Sequence, residues 1–243
     1  MAATSVDQFD DRLETTSESK SDTPGLHSPD LHLPDLHIKD IHFSKPALFI
    51  KRAMDAAGAA ILLALLSPVL ALLALLIKLR DGGPVIHRRR VVGPRGEFDA
   101  FKLRSMRVDA DEILKNDPTL RREFEINFKL KQDPRITRLG AFMRKTSLDE
   151  LPQLFNVLRG QMSMVGPRMI TPPELIKFGD AAWIFSTVKP GLTGYWQIRG
   201  RQEVSYDQRV AMDLYYVQHW SLLLDLKILV MTPLRVVRGS GAY

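Results

Sequence analysis

The sequence contains no cysteine. This absence excludes disulfide bonds, cysteine-ligated metal sites and cysteine nucleophiles, and it agrees with a cytoplasmic location. The chain also lacks a recognisable nucleic-acid-binding module, although its net charge is +6. A basic chain suits nucleic acid, an anionic membrane or phosphate-bearing ligands. One long apolar run favours the membrane, and we expect no nucleic-acid partner.

Large apolar side chains are scarce in the first 45 residues, which are rich in Ser, Thr, Asp and Pro. This composition predicts a disordered tail over residues 1–45 and one domain over residues 46–243. Within the tail a histidine recurs every five residues, at His27, His32, His37 and His42. Histidines at this spacing converge neither on a helix nor on a strand, so the pattern favours a linker or docking segment over a metal site. The apolar run begins too late for a secretory signal.

The apolar run covers residues 56–77, which is long enough for a membrane-spanning helix. Ser67-Pro68 lies at its midpoint, where proline removes a helix hydrogen bond and kinks the axis. Basic residues flank both ends: Lys51 and Arg52 before the run, and Lys78, Arg80 and Arg88-Arg89-Arg90 after it. Because basic residues mark the cytoplasmic side, a helix over about 53–78 that enters, bends and returns satisfies both ends. A straight span stays open, since spanning helices tolerate proline.

Two adjacent carboxylates, Asp149 and Glu150, lie between Thr146-Ser147 and Pro152. Thr146 or Ser147 as an N-cap would put both acids in the first turn of a helix, where the helix dipole favours anions, metals and phosphates. The flanking cations are Arg144, Lys145, Arg159 and Arg168. Carboxylates among arginines indicate phosphate chemistry, with a carboxylate that attacks or that holds a metal. Ordinary stabilisation of a helix start is the alternative.

From residue 144 to residue 168 the sequence reads RKTSLDELPQLFNVLRGQMSMVGPR. This stretch resembles the small monotopic phosphoglycosyl transferases, the bacterial sugar transferases that start exopolysaccharide and glycoconjugate assembly. Further motifs follow the family's order: KRAMD at 51–55, the Ser67-Pro68 break, FKLRSM at 101–106, DPRITRLG at 133–140 and PGLTGYWQIRGR at 190–201. The resemblance extends from about Lys51 to the C-terminus. Met169 departs from it, because the family has a second proline there.

The resemblance implies that a sugar 1-phosphate is transferred from a UDP-sugar to polyprenyl (undecaprenyl) phosphate, the first membrane step of exopolysaccharide biosynthesis. It implies that Asp149 attacks the sugar-bearing phosphate and forms a covalent aspartyl-phosphosugar. Glu150, together with Asp149, would hold Mg²⁺. Arg144 and Arg168 would hold phosphoryl oxygens through fork-like hydrogen bonds.

A β-hairpin is predicted over residues 85–103, with a turn at 93–96. It presents Lys102 and Arg104 two residues apart, on one face of an extended segment. A solvated basic strand is the plain interpretation. The similarity of FKLRSM to the family motif instead implies substrate binding by these residues.

The stretch from Lys189 to Arg201 is predicted to be a loop punctuated by glycine. Tyr195 and Trp196 can stack on a base or sugar, and Arg199 and Arg201 can bind phosphate. Core aromatic residues beside surface arginines would look similar, so the nucleotide-binding role comes from the resemblance.

From Trp220 onward the chain is apolar again, but Asp225 and Lys227 make a second span costly. A helix that lies in the membrane interface is predicted instead.

Lys51, Arg52 and Asp55 lie on one face at the start of the apolar helix. A local ion pair that anchors the helix end is one interpretation. The other, carried from the family, is that these residues, with the Ser67-Pro68 break further along, meet lipid headgroups or the polyprenyl phosphate.

The expected fold is α+β and mostly helical, with a re-entrant membrane helix, a small β-hairpin and interfacial helices around one catalytic domain. That domain would lie on the cytoplasmic face of the bacterial inner membrane, with the membrane and other polysaccharide-assembly proteins as partners. A catalytically silent, membrane-anchored scaffold that binds nucleotide sugars is the alternative.

Overall fold

The computed structural model describes residues 43–127, 130, 132–199 and 205–237. Its first element is a long helix, α1 (Lys45–Asp81). Ser44 begins α1 as its N-cap, because the Ser44 side chain accepts a hydrogen bond from the Ala47 N–H. Gly82 ends α1 in the left-handed conformation, with φ at 67°, and its N–H binds the Lys78 carbonyl oxygen. The predicted tail and its histidines lie almost wholly outside the described residues.

The other elements follow in chain order: β1 (Ile86–Gly93), β2 (Gly96–Leu103), α2 (Ala110–Asn116), α3 (Pro118–Asn127), α4 (Arg138–Thr146), a 3-10 turn (Leu148–Glu150), α5 (Gln153–Leu158), β3 (Ser163–Val165), a 3-10 helix (Pro172–Trp183), α6 (Ile184–Thr187), β4 (Gly191–Thr193), α7 (Tyr195–Arg199), α8 (Tyr206–Gln218) and α9 (Leu222–Val237). The protein is therefore mostly helical, with two small two-stranded sheets and one long apolar helix. This agrees with the expected fold class at that level.

Within the described part of the chain, α1 is the one helix long and apolar enough to cross a membrane. Only 11% of its most apolar window is buried inside the protein, so it is not a core helix. The helix is continuous through Ser67-Pro68, where the Ser67 hydroxyl donates to the Ala64 carbonyl oxygen over 2.9 Å. The helical conformation therefore does not end at the predicted break. The re-entrant course stays a prediction.

The predicted hairpin is confirmed: β1 and β2 are antiparallel and joined at Pro94-Arg95. In this register His87 pairs with Lys102 and Arg89 pairs with Ala100. Because side chains alternate along a strand, these four residues share one face of the sheet. The buried Ala100 joins that face to the core.

The second sheet pairs β3 with β4 in parallel, and the backbones approach closely at its edge. A Cβ atom on Gly191 would lie 2.1 Å from the Gly166 nitrogen, so no larger residue fits. The Gly166 N–H donates to Thr193, and the Gly191 N–H donates to Pro167. These contacts fix the chain that leads to Arg168.

Long-range polar contacts attach α1 to the rest of the domain. Asp55 is buried and accepts hydrogen bonds from the Ser163 hydroxyl at 2.8 Å and from the Met164 N–H at 2.9 Å. The Arg52 guanidinium donates to two carbonyl oxygens at the end of α5, each at 2.7 Å. Asp55 thus binds β3, and the local ion pair considered above is not what the structure shows.

Lys51 makes the third attachment. Its ammonium lies 2.6 Å from the Asp225 carboxylate and 3.0 Å from the Val165 carbonyl oxygen. Asp225 also accepts hydrogen bonds from the Tyr216 hydroxyl at 2.7 Å and from the Trp220 indole N–H at 3.1 Å. The negative charge of Asp225, which lies inside the last apolar segment, is therefore neutralised by Lys51 within the protein.

The last apolar segment is a helix, α9, as predicted. Its large apolar side chains form an exposed stripe three or four residues apart: Leu223, Leu226, Val230 and Leu234. A one-sided stripe is typical of a helix that lies on a membrane surface. Its position in the interface stays a prediction.

Candidate active site

The two carboxylates lie in the 3-10 turn between α4 and α5. The predicted helix start is confirmed in part: Ser147 occupies the N-cap position of this 3-10 turn and both acids lie in its first turn, but the Ser147 side chain makes no capping hydrogen bond and the turn is not an α-helix. Thr146 is the last residue of α4, and Ser147 ends that helix in the left-handed conformation, with φ at 58°. Pro152 has no N–H to donate, and α5 begins only at Gln153.

Asp149 and Glu150 have different surroundings. Asp149 is buried, with 5% of its surface exposed, whereas the Glu150 side chain keeps 28% of its surface exposed. Burial raises the pKa of Asp149 to about 6, against the opposing charge of Lys102; the Glu150 charge adds to the rise. Burial would also raise the pKa of Glu150, but the charge and hydrogen bond of Lys102 bring it below its ordinary value. The turn therefore holds one acid easily protonated and one firmly ionised.

Lys102 and Arg144 are the predicted cations that the structure brings to these acids. The Lys102 ammonium lies 2.6 Å from a Glu150 oxygen. The Arg144 side chain is anchored by a 2.9 Å hydrogen bond from its Nε to the Ser105 hydroxyl. Burial lowers the pKa of Arg144, and the nearby charge of Asp149 opposes that shift. Both cations are therefore placed to act on a phosphate beside Asp149.

A small cleft opens beside Glu150. It is lined by Arg89, Lys102, Glu150, Gln153, Arg168, Met169, Gly191, Leu192, Trp196 and Gln197. Arg168 is present as predicted, and Met169 forms part of the wall. Polar and cationic groups thus converge from three places. These are the hairpin, the 3-10 turn Leu148–Glu150 (the acid turn) and the chain between β3 and β4.

Arg89 was missed as a site residue, because the run of three arginines was interpreted only as a mark of membrane topology. Its guanidinium lies 3.2 Å from Glu174, and its charge helps to lower the pKa of Glu150. The alternation of side chains along the predicted strand could have identified Arg89 as a site residue. Side chains alternate along β1, so Arg89 shares a face with His87, the cross-strand partner of Lys102.

Arg168 is held by its backbone. Its N–H donates to both carboxylate oxygens of Asp213 at 3.2 Å. Its guanidinium carbon lies 5.1 Å from the centre of the Trp196 ring. Burial raises the pKa of Asp213 to about 7, although the Arg168 N–H and the charge of Arg209 oppose the rise. Asp213 and Arg209 both lie on α8. No short-range sequence pattern predicted that Asp213 would bind the Arg168 backbone or that Arg209 would lie beside it.

Other predicted cations lie elsewhere. Arg104 forms an ion pair with Asp81 at the end of α1, and it does not line the cleft. Arg199 donates from its Nε to the Tyr195 hydroxyl at 3.2 Å, and Tyr195 is a buried core residue. Arg201 lies outside the described residues. Nothing in this geometry supports substrate contacts by Arg104 or Arg199.

A divalent cation fits the acid turn by the chemistry of its donors. Mg²⁺ typically binds one or two carboxylates and takes its other ligands from phosphate and water. Glu150 lines the cationic cleft, and the adjacent Asp149 supplies a second carboxylate in the same turn. No group of three or more metal-ligating side chains occurs in the described residues, so the remaining ligands would have to come from the substrate and solvent.

Two carboxylates lie among cations in a domain that is attached to a long apolar helix, an arrangement suited to phosphorylated ligands at a membrane. The chain belongs to the bacterial sugar transferase family, whose model matches residues 46–239.

Several curated proteins are similar to it. An undecaprenyl-phosphate galactose phosphotransferase of Salmonella typhimurium is 48% identical over 200 residues, which are 80% of this chain and 42% of that protein. The exopolysaccharide production protein ExoY of Rhizobium meliloti is 44% identical over 79% of this chain and 88% of its own length. A UDP-glucose:undecaprenyl-phosphate glucose-1-phosphate transferase of Escherichia coli is 38% identical over 80% of this chain and 41% of its own length. The chain thus spans less than half of the Salmonella and Escherichia proteins.

Proposed function

We propose that this protein transfers a sugar 1-phosphate from a UDP-sugar to undecaprenyl phosphate through a covalent aspartyl-phosphosugar on Asp149. The observation that carries the proposal is the contrast within the acid turn. Asp149 is buried beside Arg144, while Glu150 faces the cleft and is bound to Lys102. The names of the Salmonella and Escherichia relatives specify undecaprenyl phosphate as the acceptor, and the Escherichia name also specifies a UDP-sugar.

In the first step a carboxylate oxygen of Asp149 attacks the phosphorus that carries the sugar. A phosphorus–oxygen bond to Asp149 forms, and the bond to the UMP oxygen breaks with its electron pair, so that UMP leaves. In the second step an oxygen of undecaprenyl phosphate attacks the same phosphorus. The acyl phosphate bond breaks, Asp149 returns as a carboxylate, and the sugar remains on undecaprenyl diphosphate.

The cations around the acid turn serve both steps. Two anions repel one another, and positive side chains that hold phosphoryl oxygens remove that barrier. Arg144 is placed by Ser105 beside Asp149, and Lys102 and Arg89 reach the cleft from the hairpin. Arg168 extends the positive surface toward Trp196.

Asp149 and Glu150 would hold Mg²⁺, which supplies charge neutralisation of the diphosphate when bound. Glu150 is the more suitable ligand, because its pKa lies below its ordinary value and it stays ionised at neutral pH. Its present partner, Lys102, would then be released to bind a phosphoryl oxygen.

A membrane position suits this chemistry, because one substrate is soluble and the other is a lipid. The apolar surface of α1 and the exposed stripe of α9 favour it. Basic residues on both sides of the apolar run favour the cytoplasmic face.

The test is UMP release by the purified, detergent-solubilised protein given Mg²⁺, undecaprenyl phosphate and either UDP-galactose or UDP-glucose. We expect turnover that Asp149→Asn abolishes, and a phosphosugar adduct on Asp149 in protein trapped without acceptor. Asp111→Asn, at an exposed residue of α2, is the matched control. If the wild type binds UDP-sugars yet releases no UMP, the protein is a silent scaffold and the proposal fails.

A further inference from the structure

Two guanidinium groups contact one indole ring at the far side of the cleft. The guanidinium carbon of Arg168 lies 5.1 Å from the centre of the Trp196 ring, and that of Arg209 lies 4.8 Å from it. Arg168 follows β3, whereas Arg209 comes from α8. A single cation over an indole ring is a common stabilising contact. A second cation on the same ring adds like-charge repulsion that the ring does not offset.

Neither guanidinium has an acid partner in the described part of the chain, where the ion pairs involve other cations. The Nε atoms of Arg168 and Arg209 are both buried and make no hydrogen bond to a described residue. Asp213, one helical turn beyond Arg209, accepts hydrogen bonds from the backbone N–H of Arg168. Burial, with the charge of Arg168 added, lowers the pKa of Arg209 to about 10. The charges of Asp213 and Glu174 oppose that shift, but neither carboxylate forms an ion pair with Arg209 among the described residues. Partly desolvated cations without an ion-pair partner are costly, and an anionic ligand would relieve that cost.

We propose that Arg209 and Arg168 form a subsite on Trp196 for the phosphate of the departing nucleoside monophosphate. The inference rests on the proposed function, and it assigns Arg209 a role that the sequence motifs did not. The sugar-bearing phosphate has to lie beside Asp149, which Arg144 and Lys102 serve. The second phosphate of the diphosphate is then directed along the cleft, where Arg168 and Trp196 form the wall.

This subsite acts on the step in which UMP leaves. As the phosphorus–oxygen bond breaks, negative charge develops on the phosphate of the leaving group. Two preformed, partly buried cations stabilise that charge more than they stabilise the intact diphosphate. Arg209 therefore accelerates formation of the aspartyl adduct, whereas transfer to the lipid acceptor, which follows UMP departure, depends on it less.

The first measurement is the binding of UMP and of uridine to the full-length protein by calorimetry, with Arg209→Gln and Arg209→Lys as variants. Arg121→Gln is the matched control, because Arg121 is exposed on α3 and pairs with the exposed Glu125. We expect Arg209→Gln to weaken UMP binding roughly 10-fold or more, the scale of a lost charge-assisted contact. Uridine binding stays unchanged, Arg209→Lys retains part of the UMP affinity, and Arg121→Gln matches the wild type.

The second measurement is the rate of adduct formation on Asp149 from a UDP-sugar in a single turnover. We expect Arg209→Gln to slow this rate more than it slows transfer from the preformed adduct to undecaprenyl phosphate. The Lys variant keeps the test decisive if the Gln variant does not fold.

Two results would overturn the subsite. One is unchanged UMP affinity in both Arg209 variants, and the other is an equal loss of UMP and uridine affinity, which would mean that Arg209 only supports the Trp196 ring. Failure of the proposed function looks different: UMP binds in an Arg209-dependent manner, yet no UDP-sugar forms an adduct. That result would support the anion subsite and contradict the proposed phosphosugar transfer.

Discussion

The Lys102 ammonium lies 2.6 Å from a carboxylate oxygen of Glu150, and its charge also acts on the neighbouring Asp149. One cation therefore controls the protonation of both acids. It keeps Glu150 ionised and limits the rise in the Asp149 pKa that burial causes. A salt bridge at this position shifts the pKa of the proposed nucleophile as well as joining a strand to a turn.

The first prediction concerns the pH dependence of adduct formation. Asp149 attacks only as a carboxylate, and its pKa is raised to about 6, so the rate should fall as the pH drops through about 6. Lys102→Met removes the largest charge that opposes this rise, so the fall should move to higher pH by about one unit. Single-turnover rates between pH 5 and pH 8.5 measure the shift.

The control for this prediction is Lys102→Arg, which keeps the charge and should keep the wild-type pH profile even if the absolute rate falls. A Lys102→Met profile that coincides with the wild-type profile would show that Lys102 does not tune Asp149.

The second prediction concerns Asp213. Its pKa is raised to about 7 in the folded protein from an ordinary value of 3.8, so the folded state binds a proton that the unfolded state has lost between these pH values. Wild-type stability due to this group therefore falls as the pH rises from about 4 to about 7 and stays low above that. Asp213→Asn removes this loss and should gain on the order of 3 kcal/mol relative to the wild type between pH 4 and pH 8.

Urea unfolding in a constant detergent at pH 4.5, 6 and 8 measures that difference. Asp111→Asn, at an exposed residue of α2, is the matched control. The difference between Asp213→Asn and the wild type should grow with pH; a difference that stays constant across this range would contradict the prediction.

The third prediction concerns the close approach that supports Arg168. In Gly191→Ala the new Cβ would lie 2.1 Å from the Gly166 nitrogen and 2.3 Å from the Thr193 oxygen, so β4 must move. We expect a loss of about 1–3 kcal/mol in stability, typical of overpacking, and a larger fractional loss of activity, because Arg168 pairs with Gly191 in a backbone bridge. Thermal unfolding and UMP release measure the two effects.

Gly58→Ala is the control, since its Cβ would meet nothing closer than Met164 at 4.0 Å. It should retain activity and lose no stability, because alanine favours a helix more than glycine does. Full activity and stability in Gly191→Ala would mean that the edge of the second sheet does not position Arg168.

The sequence predicted the features whose signals are local. The Gly-Pro turn between two short segments predicted the hairpin, and the length and composition of the apolar run predicted α1. The contacts of Asp55 and Asp225 were out of reach, because their partners lie 108 and 174 residues away along the chain. No short-range pattern distinguishes a carboxylate that binds headgroups from one that binds a distant strand.

The acid turn also shows that local sequence patterns do not determine every conformation, even between residues close together in the chain. Thr146 and Ser147 are good N-cap residues, yet Ser147 adopts a left-handed conformation and closes α4. That choice depends on Pro152 and on the packing of α4 and β2 against the turn. The resemblance found Asp149, Glu150, Arg144 and Arg168 through motifs. It did not reveal Arg209 and Asp213, which come from α8 to contact Trp196 and the Arg168 N–H only after folding.

The Val165 carbonyl oxygen accepts a hydrogen bond from the Lys51 ammonium, and the hydroxyl oxygens of Ser163 and Tyr216 lie 2.8 Å and 3.1 Å from it. Lys51 belongs to α1, and Val165 is three residues before Arg168, so the apolar helix is tied to the wall of the cleft. In a bilayer this tie would hold the acid turn at a fixed height above the lipid surface. The lipid acceptor then needs only to diffuse laterally to meet it, which reduces a three-dimensional search to two dimensions.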